Sequence, residues 1–305
     1  MQNKKNNLNQ LYYMIVFKFF IMLMLFFFFT LNAKSDLIED ENKPLKLGNL
    51  AVAPSQQPNP MISFGQNIVE KGVTQGFLLT TDLHGRDHRF TNIVPSILYG
   101  ITDKLSIFIS QPFTPQFKDR KFKSSGVEDL SIQFEYAFYN NVELTFFDQA
   151  TLVGNITIPF GSSKKNPPTG YGATSFFIGE TFSRTMIDWL FFVSPGAIFP
   201  TSHHRTRFGN QFLYQFGFGR NITNINKWLF TWMVEFDGVY ALKNKIRGKL
   251  DQNSGGNTII ITPSIWISSE KFILQCGLGY TVYQKNFGKQ NRDTYLFALN
   301  AGWTF

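Results

Sequence analysis

The feature that most constrains this chain is a two-residue apolar period that recurs in segment after segment from residue 72 onward. In the last segment every second residue from Tyr295 to Phe305 is apolar, and Asn300 and Thr304 lie among the residues between them. A period of two places alternate side chains on opposite faces of a β-strand. The pattern therefore predicts an all-β chain whose strands have one apolar and one polar face.

Twelve such segments are separated by turn signals. They are 72–83, 89–100, 104–112, 128–139, 143–159, 172–185, 188–200, 208–221, 227–240, 257–268, 271–284 and 294–305. Short connections follow every second strand: 101–103, 140–142, 186–187, 222–226 and 269–270. Alternation alone also fits a soluble sheet. However, an even strand number and alternating short and long connections are typical of outer-membrane barrels. We therefore predict an antiparallel transmembrane β-barrel of the Gram-negative outer membrane, with about 12 strands, over residues 72–305.

The first 33 residues have the order of a secretory signal peptide. Lys4, Lys5 and Lys18 are followed by the apolar run Phe19–Leu31, and Ala33 offers a cleavage point. The uncharged run is shorter than the roughly 20 residues that a membrane-spanning helix needs, which disfavours a retained anchor. Residues 1–33 are thus predicted to direct the chain through the inner membrane to the outer membrane.

Residues 34–71 are acidic at first and then rich in Pro, Gln and Asn. Such a composition is poor in the apolar side chains that a folded unit buries. We expect a flexible periplasmic tail here, and a small plug inside the barrel is the open alternative.

The polar faces of the strands supply candidates for the wall of a lumen. The predicted lumen-lining residues are Asp129, Gln133, Glu135, Glu143, Gln211, Gln215, Glu235, Asp237 and Gln275. They could tune the passage of solutes, or they could pair across a narrow lumen, for example with Arg184, and fill it. The second and sixth strands do not sort into two faces, and Asp148 and Glu180 lie among apolar neighbours.

Aromatic residues mark one end of the predicted strands. Trp189, Trp228, Trp303 and Phe305 fall near the periplasmic end, which predicts an aromatic girdle at the headgroup level. The terminal Phe305 and the alternation before it resemble the signal that the barrel assembly machinery recognises. We therefore expect that machinery to be a partner.

Basic residues are concentrated in the predicted outer loops. The candidates are Lys118, Arg120, Lys121, Lys123, Arg205, Arg207, Lys243, Lys245, Arg247 and Lys249. These loops could bind the phosphates of lipopolysaccharide and other outer-membrane lipids, or they could form a vestibule that attracts anionic solutes. Nucleic-acid binding is disfavoured because the basic residues are spread over separate loops.

No residue pattern predicts catalysis, a metal or a cofactor. His84 and His88 have no clustered Cys or other ligands beside them, and Cys276 is the single cysteine. A twelve-stranded outer-membrane phospholipase would need a His and a Ser two residues apart. His203 and His204 are not followed by such a Ser. The chain is therefore predicted not to be an enzyme.

Several short motifs carry a family resemblance. They are Tyr99-Gly100-Ile101-Thr102-Asp103, Gly126-Val127-Glu128-Asp129-Leu130 with Glu135-Tyr136, Gly170-Tyr171-Gly172, the segment from Trp189 to Gly196, and Gly277-Leu278-Gly279. On these residues the chain resembles the outer-membrane barrels of the "MetA-pathway of phenol degradation" transporter family. The resemblance implies a barrel that passes small, often hydrophobic or aromatic, molecules.

Together these patterns predict a channel or transporter for the passive passage of a small solute. The first alternative is a structural or surface-interaction barrel whose basic loops bind lipopolysaccharide or host surfaces. The second alternative is a lipid-active enzyme of the outer membrane.

Overall fold

A computed structural model describes residues 48–225 and 227–305, so the predicted signal peptide and residues 34–47 lie outside the described residues. Twelve antiparallel strands form one sheet that closes on itself. They are β1 (Thr74–Gly85), β2 (His88–Thr102), β3 (Leu105–Ser110), β4 (Leu130–Val142), β5 (Phe146–Ile158), β6 (Ser175–Met186), β7 (Trp189–Pro200), β8 (Gln211–Ile225), β9 (Trp228–Ala241), β10 (Gly256–Ser268), β11 (Phe272–Asn286) and β12 (Asp293–Thr304). Each pairs with the next, and β1 pairs with β12 from Gln75↔Thr304 upward. Closure leaves no unpaired edge, as a membrane-spanning sheet requires.

The twelve-stranded barrel predicted from the sequence is confirmed, and every strand end lies within four residues of its predicted position. The short connections lie at one end of the barrel, which we call the turn end, and the long ones lie at the opposite, loop end. Among the described residues, no helix has the length and apolarity needed to cross a bilayer.

The wall continues above β3 and β4 as a hairpin. Phe113–Asp119 pairs with β2, and Phe122–Val127 pairs back onto it. We call residues 113–127 the rim hairpin. A short break at Gln111 and Pro112 separates it from β3, because proline has no N–H group for the ladder. The predicted outer loop after the third strand is therefore largely an extension of the barrel wall.

Two other long connections join in a small sheet at the loop end. It contains Ser202–His203, Thr206–Arg207, Lys245–Ile246 and Lys249–Leu250. We call this element the loop sheet. Its central pairing is Thr206↔Ile246, so the loop after β7 is hydrogen-bonded to the loop after β9.

The two faces of the sheet are reversed relative to a soluble protein. Large apolar side chains such as Ile97 (59% exposed) and Leu299 (39%) cover the outside. Polar side chains such as Gln75 (2%) and Glu235 (0%) are buried on the inside. A continuous apolar surface around the whole wall needs hydrocarbon beside it. The outward face therefore meets lipid and the inward face encloses the lumen.

Aromatic side chains cluster at the turn end of the wall. Trp228, Phe272 and Trp303 form an edge-to-face chain with centroid separations of 6.3 and 6.1 Å. Trp189 begins β7 at the same end, and the exposed Phe305 follows β12. This placement fits the predicted girdle, because aromatic rings favour the headgroup level of a membrane.

Residues 48–71 lie inside the barrel, as in the plug alternative, rather than forming the flexible periplasmic tail that the sequence favoured. We call this segment the strap. It includes the two short helices Gly48–Ala51 and Pro54–Gln56. It begins beside the β6–β7 turn, where Asn49 N donates to Ile187 O at 2.7 Å. It returns to the turn end at Lys71, whose N–H donates to Asp103 at 2.9 Å.

The depth dependence of a charged substitution tests which face meets lipid. Leu299 lies on the outward face between Trp303 and Tyr295, near the middle of the apolar band. We expect Leu299→Arg to lower the free energy of unfolding in lipid vesicles by about 2–4 kcal/mol. The matched variant Tyr280→Arg, nearer the loop end, should cost only about 0–1 kcal/mol. Guanidinium unfolding measures both, and equal costs would show that the outward face is not in hydrocarbon.

Candidate functional site

The centre of the lumen is a carboxylate that holds the main chain of the strap. Strand β9 directs Glu235 inward, seven residues beyond Trp228. Its Oε1 accepts a hydrogen bond from Met61 N at 2.8 Å, and its Oε2 accepts bonds from Ile62 N at 3.1 Å and Ser63 N at 3.0 Å. We call this arrangement the clasp. Hydrogen bonds to a charged acceptor are roughly twice as strong as those between neutral groups.

The same strand provides a second acceptor directly above the clasp. Asp237 accepts a hydrogen bond from Ser63 Oγ at 2.7 Å and one from Gln215 Nε2 at 2.9 Å. The amide oxygen of Gln215 in turn accepts a bond from Phe64 N at 3.2 Å. Strands β8 and β9 thus hold four consecutive residues of the strap through three side chains.

A third acidic residue holds the descending part of the strap on the opposite wall. Glu135 on β4 accepts hydrogen bonds from Asn67 N at 2.8 Å and Asn67 Nδ2 at 2.6 Å. Gln133 Nε2 donates to the same carboxylate at 2.6 Å. Within the described residues, none of the ion pairs involves Glu135, Glu235 or Asp237. Neutral donors of the strap and wall therefore satisfy these side chains, and no basic residue pairs with them.

Glycines in the wall make room for the one large aromatic side chain of the strap. The Phe64 ring packs edge-to-face on Phe177 with centroids 4.6 Å apart. A Cβ atom on Gly179 would lie 2.5 Å from the Phe64 ring, and one on Gly196 would lie 2.8 Å from it. Both positions therefore need glycine for the strap to dock.

Little space remains between the strap and the wall near the turn end. A cavity of about 20 Å³ is lined by strap residues Gln57, Pro58, Asn59, Gln66 and Ile68 and by wall residues Phe147, Gln149 and Thr185. This volume holds about one water molecule. The strap therefore fills this part of the lumen.

Most of the predicted lumen residues point inward. Gln275 donates to Asn59 O at 2.9 Å and so holds the ascending part of the strap. Asp129 accepts bonds from Gly161 N at 2.9 Å and Tyr171 N at 2.8 Å, and so holds both ends of the loop after β5. Gln211 begins β8 at the loop end and is half-buried. These placements bring Gln133, Glu135, Gln215, Glu235, Asp237 and Gln275 together around the strap.

Glu143 is a correction to the predicted set. Strand β4 ends at Val142 and β5 begins at Phe146, so Glu143 lies in the connecting turn, where it is exposed. The predicted fifth strand began three residues too early. That error placed Glu143 on a strand face.

Several wall residues that hold the strap were not predicted. Gln75 Nε2 donates to Ser55 O at 2.9 Å, and Ser268 Oγ donates to Gln56 O at 3.1 Å. Thr181 Oγ1 donates to Phe64 O at 3.3 Å. Only Ser268 lies on a clearly polar strand face, with Thr262 and Ser264, so the two-residue period could have identified it alone. The inward face of β1 also carries Phe77 and Leu79, and the sixth strand does not sort into two faces, so Gln75 and Thr181 gave no such signal.

The structure places Asp148 and Arg184 on the outward face, so the suggested pairing of Arg184 across the lumen is wrong. Arg184 donates to Asp148 through Nε at 2.6 Å and Nη2 at 2.7 Å. A bulge in β4 between Ala137 and Tyr139 alters the register beside this pair. Glu180 also points outward, opposite the exposed Leu152. Asp148 and Glu180 have apolar neighbours in the sequence because both lie on the face of the sheet that meets lipid.

The basic loops are less separate than the sequence indicated. The loop sheet brings together Arg205, Arg207, Lys245, Arg247 and Lys249, and Arg247 N donates to Arg205 O at 2.7 Å. Lys243 Nζ lies 5.7 Å from the centre of the Phe287 ring. The remaining predicted basic residues lie on the rim hairpin: Lys118, Arg120, Lys121 and Lys123. Pairing between distant loops produced this concentration, which linear spacing could not show.

The histidines form pairs rather than a metal site. His84 contacts Asp82 at 2.7 Å, and His88 contacts Asp293 at 3.2 Å. The rings of His203 and His204 have centroids 4.0 Å apart. In the part of the chain that the structure describes, no three His, Cys, Asp or Glu residues are grouped as metal ligands.

Comparison with known proteins supports the fold. No protein-family model and no curated protein sequence matches the chain. The chain is similar to the COG4313 outer membrane channel from Pseudomonas putida F1, with 14% identity, a TM-score of 0.65 and coverage of 78% of this chain and 97% of that one. Weaker similarities are to the NanC porin (10% identity, TM-score 0.47, coverage 75% and 98%) and to LpxR from Salmonella typhimurium (7%, 0.42, 75% and 100%). The first similarity shows a shared outer-membrane barrel fold.

Proposed function

We propose that this barrel is an outer-membrane channel for small solutes, and that movement of the strap opens it. The observation that carries the proposal is the clasp, in which a wall carboxylate holds three backbone N–H groups of a segment that is not part of the sheet. A barrel closed permanently could be filled by side chains of its own strands. Here a separate piece of main chain fills the lumen through contacts that can break without disturbing the ladder.

The lumen above the strap supports a preference for small aromatic or hydrophobic solutes. At the loop end the rings of Phe90 and Phe117 point inward with centroids 5.0 Å apart, and His88 lies 5.6 Å from Phe117. Aromatic side chains pack favourably on aromatic ligands. The resemblance to the phenol-degradation transporter family agrees with this preference.

The basic loop sheet favours a second candidate function, a barrel that acts through its surface. Arg205 and Arg247 occupy left-handed backbone conformations, with φ of 65° and 51°, at the tips of its two hairpins. Glycine or asparagine would adopt these conformations at lower cost. The exposed guanidinium groups at both tips support binding of an anionic surface, and a barrel that acts only in this way would show no conductance.

Weakening the clasp tests whether the strap controls the channel. Glu235→Gln leaves a single oxygen to accept and turns an NH2 group toward at least one backbone N–H of the strap, so the clasp loses its charge assistance and at least one hydrogen bond. A loss of about 1.4 kcal/mol corresponds to a tenfold change in the population of the open state. We expect its open probability in planar bilayers to rise about tenfold. The control Glu143→Gln makes the same charge change in an exposed turn and should behave as the wild type. Equal behaviour of both variants would contradict the proposal.

A reversible disulfide between the strap and the wall tests whether holding the strap in place closes the channel. A Cβ atom on Gly65 would lie 2.9 Å from Thr181 Cβ, close enough for a disulfide after a small shift. We expect Gly65→Cys/Thr181→Cys, in a Cys276→Ala background, to be closed when oxidised and to conduct when reduced. The two single-cysteine variants are controls for the strain at Gly65, where φ is 91°. Unchanged conductance of a fully oxidised sample would show that ions do not depend on the strap.

A further inference from the structure

A row of basic side chains crosses the outward face of the barrel near the loop end. Pairing places His84 opposite Arg89, Arg89 opposite Lys118, and Lys118 opposite Lys123. Residues directly opposite each other on paired strands share a face and have Cβ atoms about 5 Å apart. The four side chains therefore form one continuous row over β1, β2 and the rim hairpin. We call it the basic row.

The basic row lies on the lipid face rather than in the lumen. Along β1 the exposed Leu78 shares its face with Asp82 and His84, because side chains two apart point the same way. On the rim hairpin, the exposed Phe113 and Val127 lie below Lys118 and Lys123 on the same side. The row is thus continuous with the apolar band that meets hydrocarbon.

The depth of the basic row matches the outer headgroup level. Gly76 is level with Trp303 of the girdle, and His84 is eight residues further along β1. At ~3.4 Å per residue and a strand tilt of ~40°, His84 lies roughly 20 Å from the girdle along the membrane normal. The apolar band of such barrels is about 25 Å tall. One end of the row is closed by Tyr295, whose ring stacks on His84 with centroids 4.5 Å apart.

Part of the basic row is held in place and part is free. Asp82 accepts bonds from Arg89 Nε at 3.0 Å and Nη2 at 2.8 Å, from Thr91 Oγ1 at 2.6 Å, and it contacts His84 Nε2 at 2.7 Å. Arg89 Nη1 and His84 Nδ1 have no hydrogen-bond partner among the described residues. Nor does any ion pair of the described chain include Lys118 or Lys123. Asp82 offsets one positive charge, and the two lysines remain uncompensated.

We propose that the basic row binds the phosphate groups of lipid A, the glycolipid anchor of lipopolysaccharide in the outer leaflet. Uncompensated lysines at headgroup depth are attracted to anionic lipid headgroups. A guanidinium whose orientation is fixed by Asp82 presents its free amino group to a phosphate oxygen without further loss of side-chain freedom. The neighbouring apolar band would pack on the acyl chains of the same lipid. This inference does not depend on the channel function.

Titration of the purified, detergent-solubilised protein with lipid A, read by native mass spectrometry, tests the proposal. We expect Lys118→Gln/Lys123→Gln to weaken binding at least tenfold, since each lysine near the membrane surface contributes roughly fivefold. The matched control Lys104→Gln/Lys271→Gln removes the same charge from exposed positions in two connections at the turn end, on the opposite side of the membrane, and should stay within about twofold of the wild type. A heat-modifiability gel verifies that each variant is an assembled barrel.

Two further measurements distinguish the sources of phosphate. Lipid A stripped of its phosphates should bind the wild type at least as weakly as intact lipid A binds the double variant, because it also loses the contact with Arg89. Millimolar inorganic phosphate should not displace intact lipid A. Equal losses in the two double variants, equal binding of dephosphorylated lipid, or displacement by free phosphate would each overturn the assignment.

Discussion

The structure depends on one constraint: a backbone N–H group that is buried away from water must find a hydrogen-bond acceptor in the protein. The ladder from β1 around to β12 satisfies the strands, and its closure through Gln75↔Thr304 and the pairs above it leaves no edge in the lipid. The strap lies within this wall but outside its ladder. Its amides therefore need acceptors from inward side chains, and Glu135 and Glu235 supply them.

The same constraint explains why the acidic side chains of the lumen need no basic partners. A carboxylate buried in a narrow lumen needs donors, and main-chain N–H groups serve as well as an arginine does. At Glu235 the side-chain oxygens and the backbone N–H groups of the strap thus satisfy each other's hydrogen-bonding needs. An arrangement of this kind holds the strap firmly but leaves it separable, because removing the strap breaks no strand pairing. On the outward face the acidic side chains have basic partners instead: Asp82 pairs with Arg89, and Asp148 pairs with Arg184.

The sequence predicted the barrel well because its signal is local and repeated. The two-residue period and the alternation of short and long connections located all twelve strands, and the tryptophans identified the turn end. For the strap the sequence favoured a flexible tail over a plug, because Pro, Gln and Asn between residues 54 and 67 resemble a disordered segment. Its order comes from Glu235, more than 170 residues away along the chain. One sequence signal could have favoured the plug: several acidic side chains point into a narrow barrel, and the described part of the lumen has no basic residues to pair with them.

Residue spacing also could not show the loop sheet, the basic row or the outward pair Asp148–Arg184, because each depends on strand pairing or on a bulge.

The central claim is that the strap occupies the lumen through its amides, and hydrogen exchange tests it most directly. Exchange of the lipid-embedded protein can be followed by mass spectrometry on peptides that cover residues 58–70. We expect the amides of Met61, Ile62, Ser63 and Asn67 to exchange far more slowly than in an unstructured peptide, and Glu235→Gln to speed exchange at residues 61–63 more than at Asn67. Exchange of all four amides at the rate of a free chain would contradict this claim.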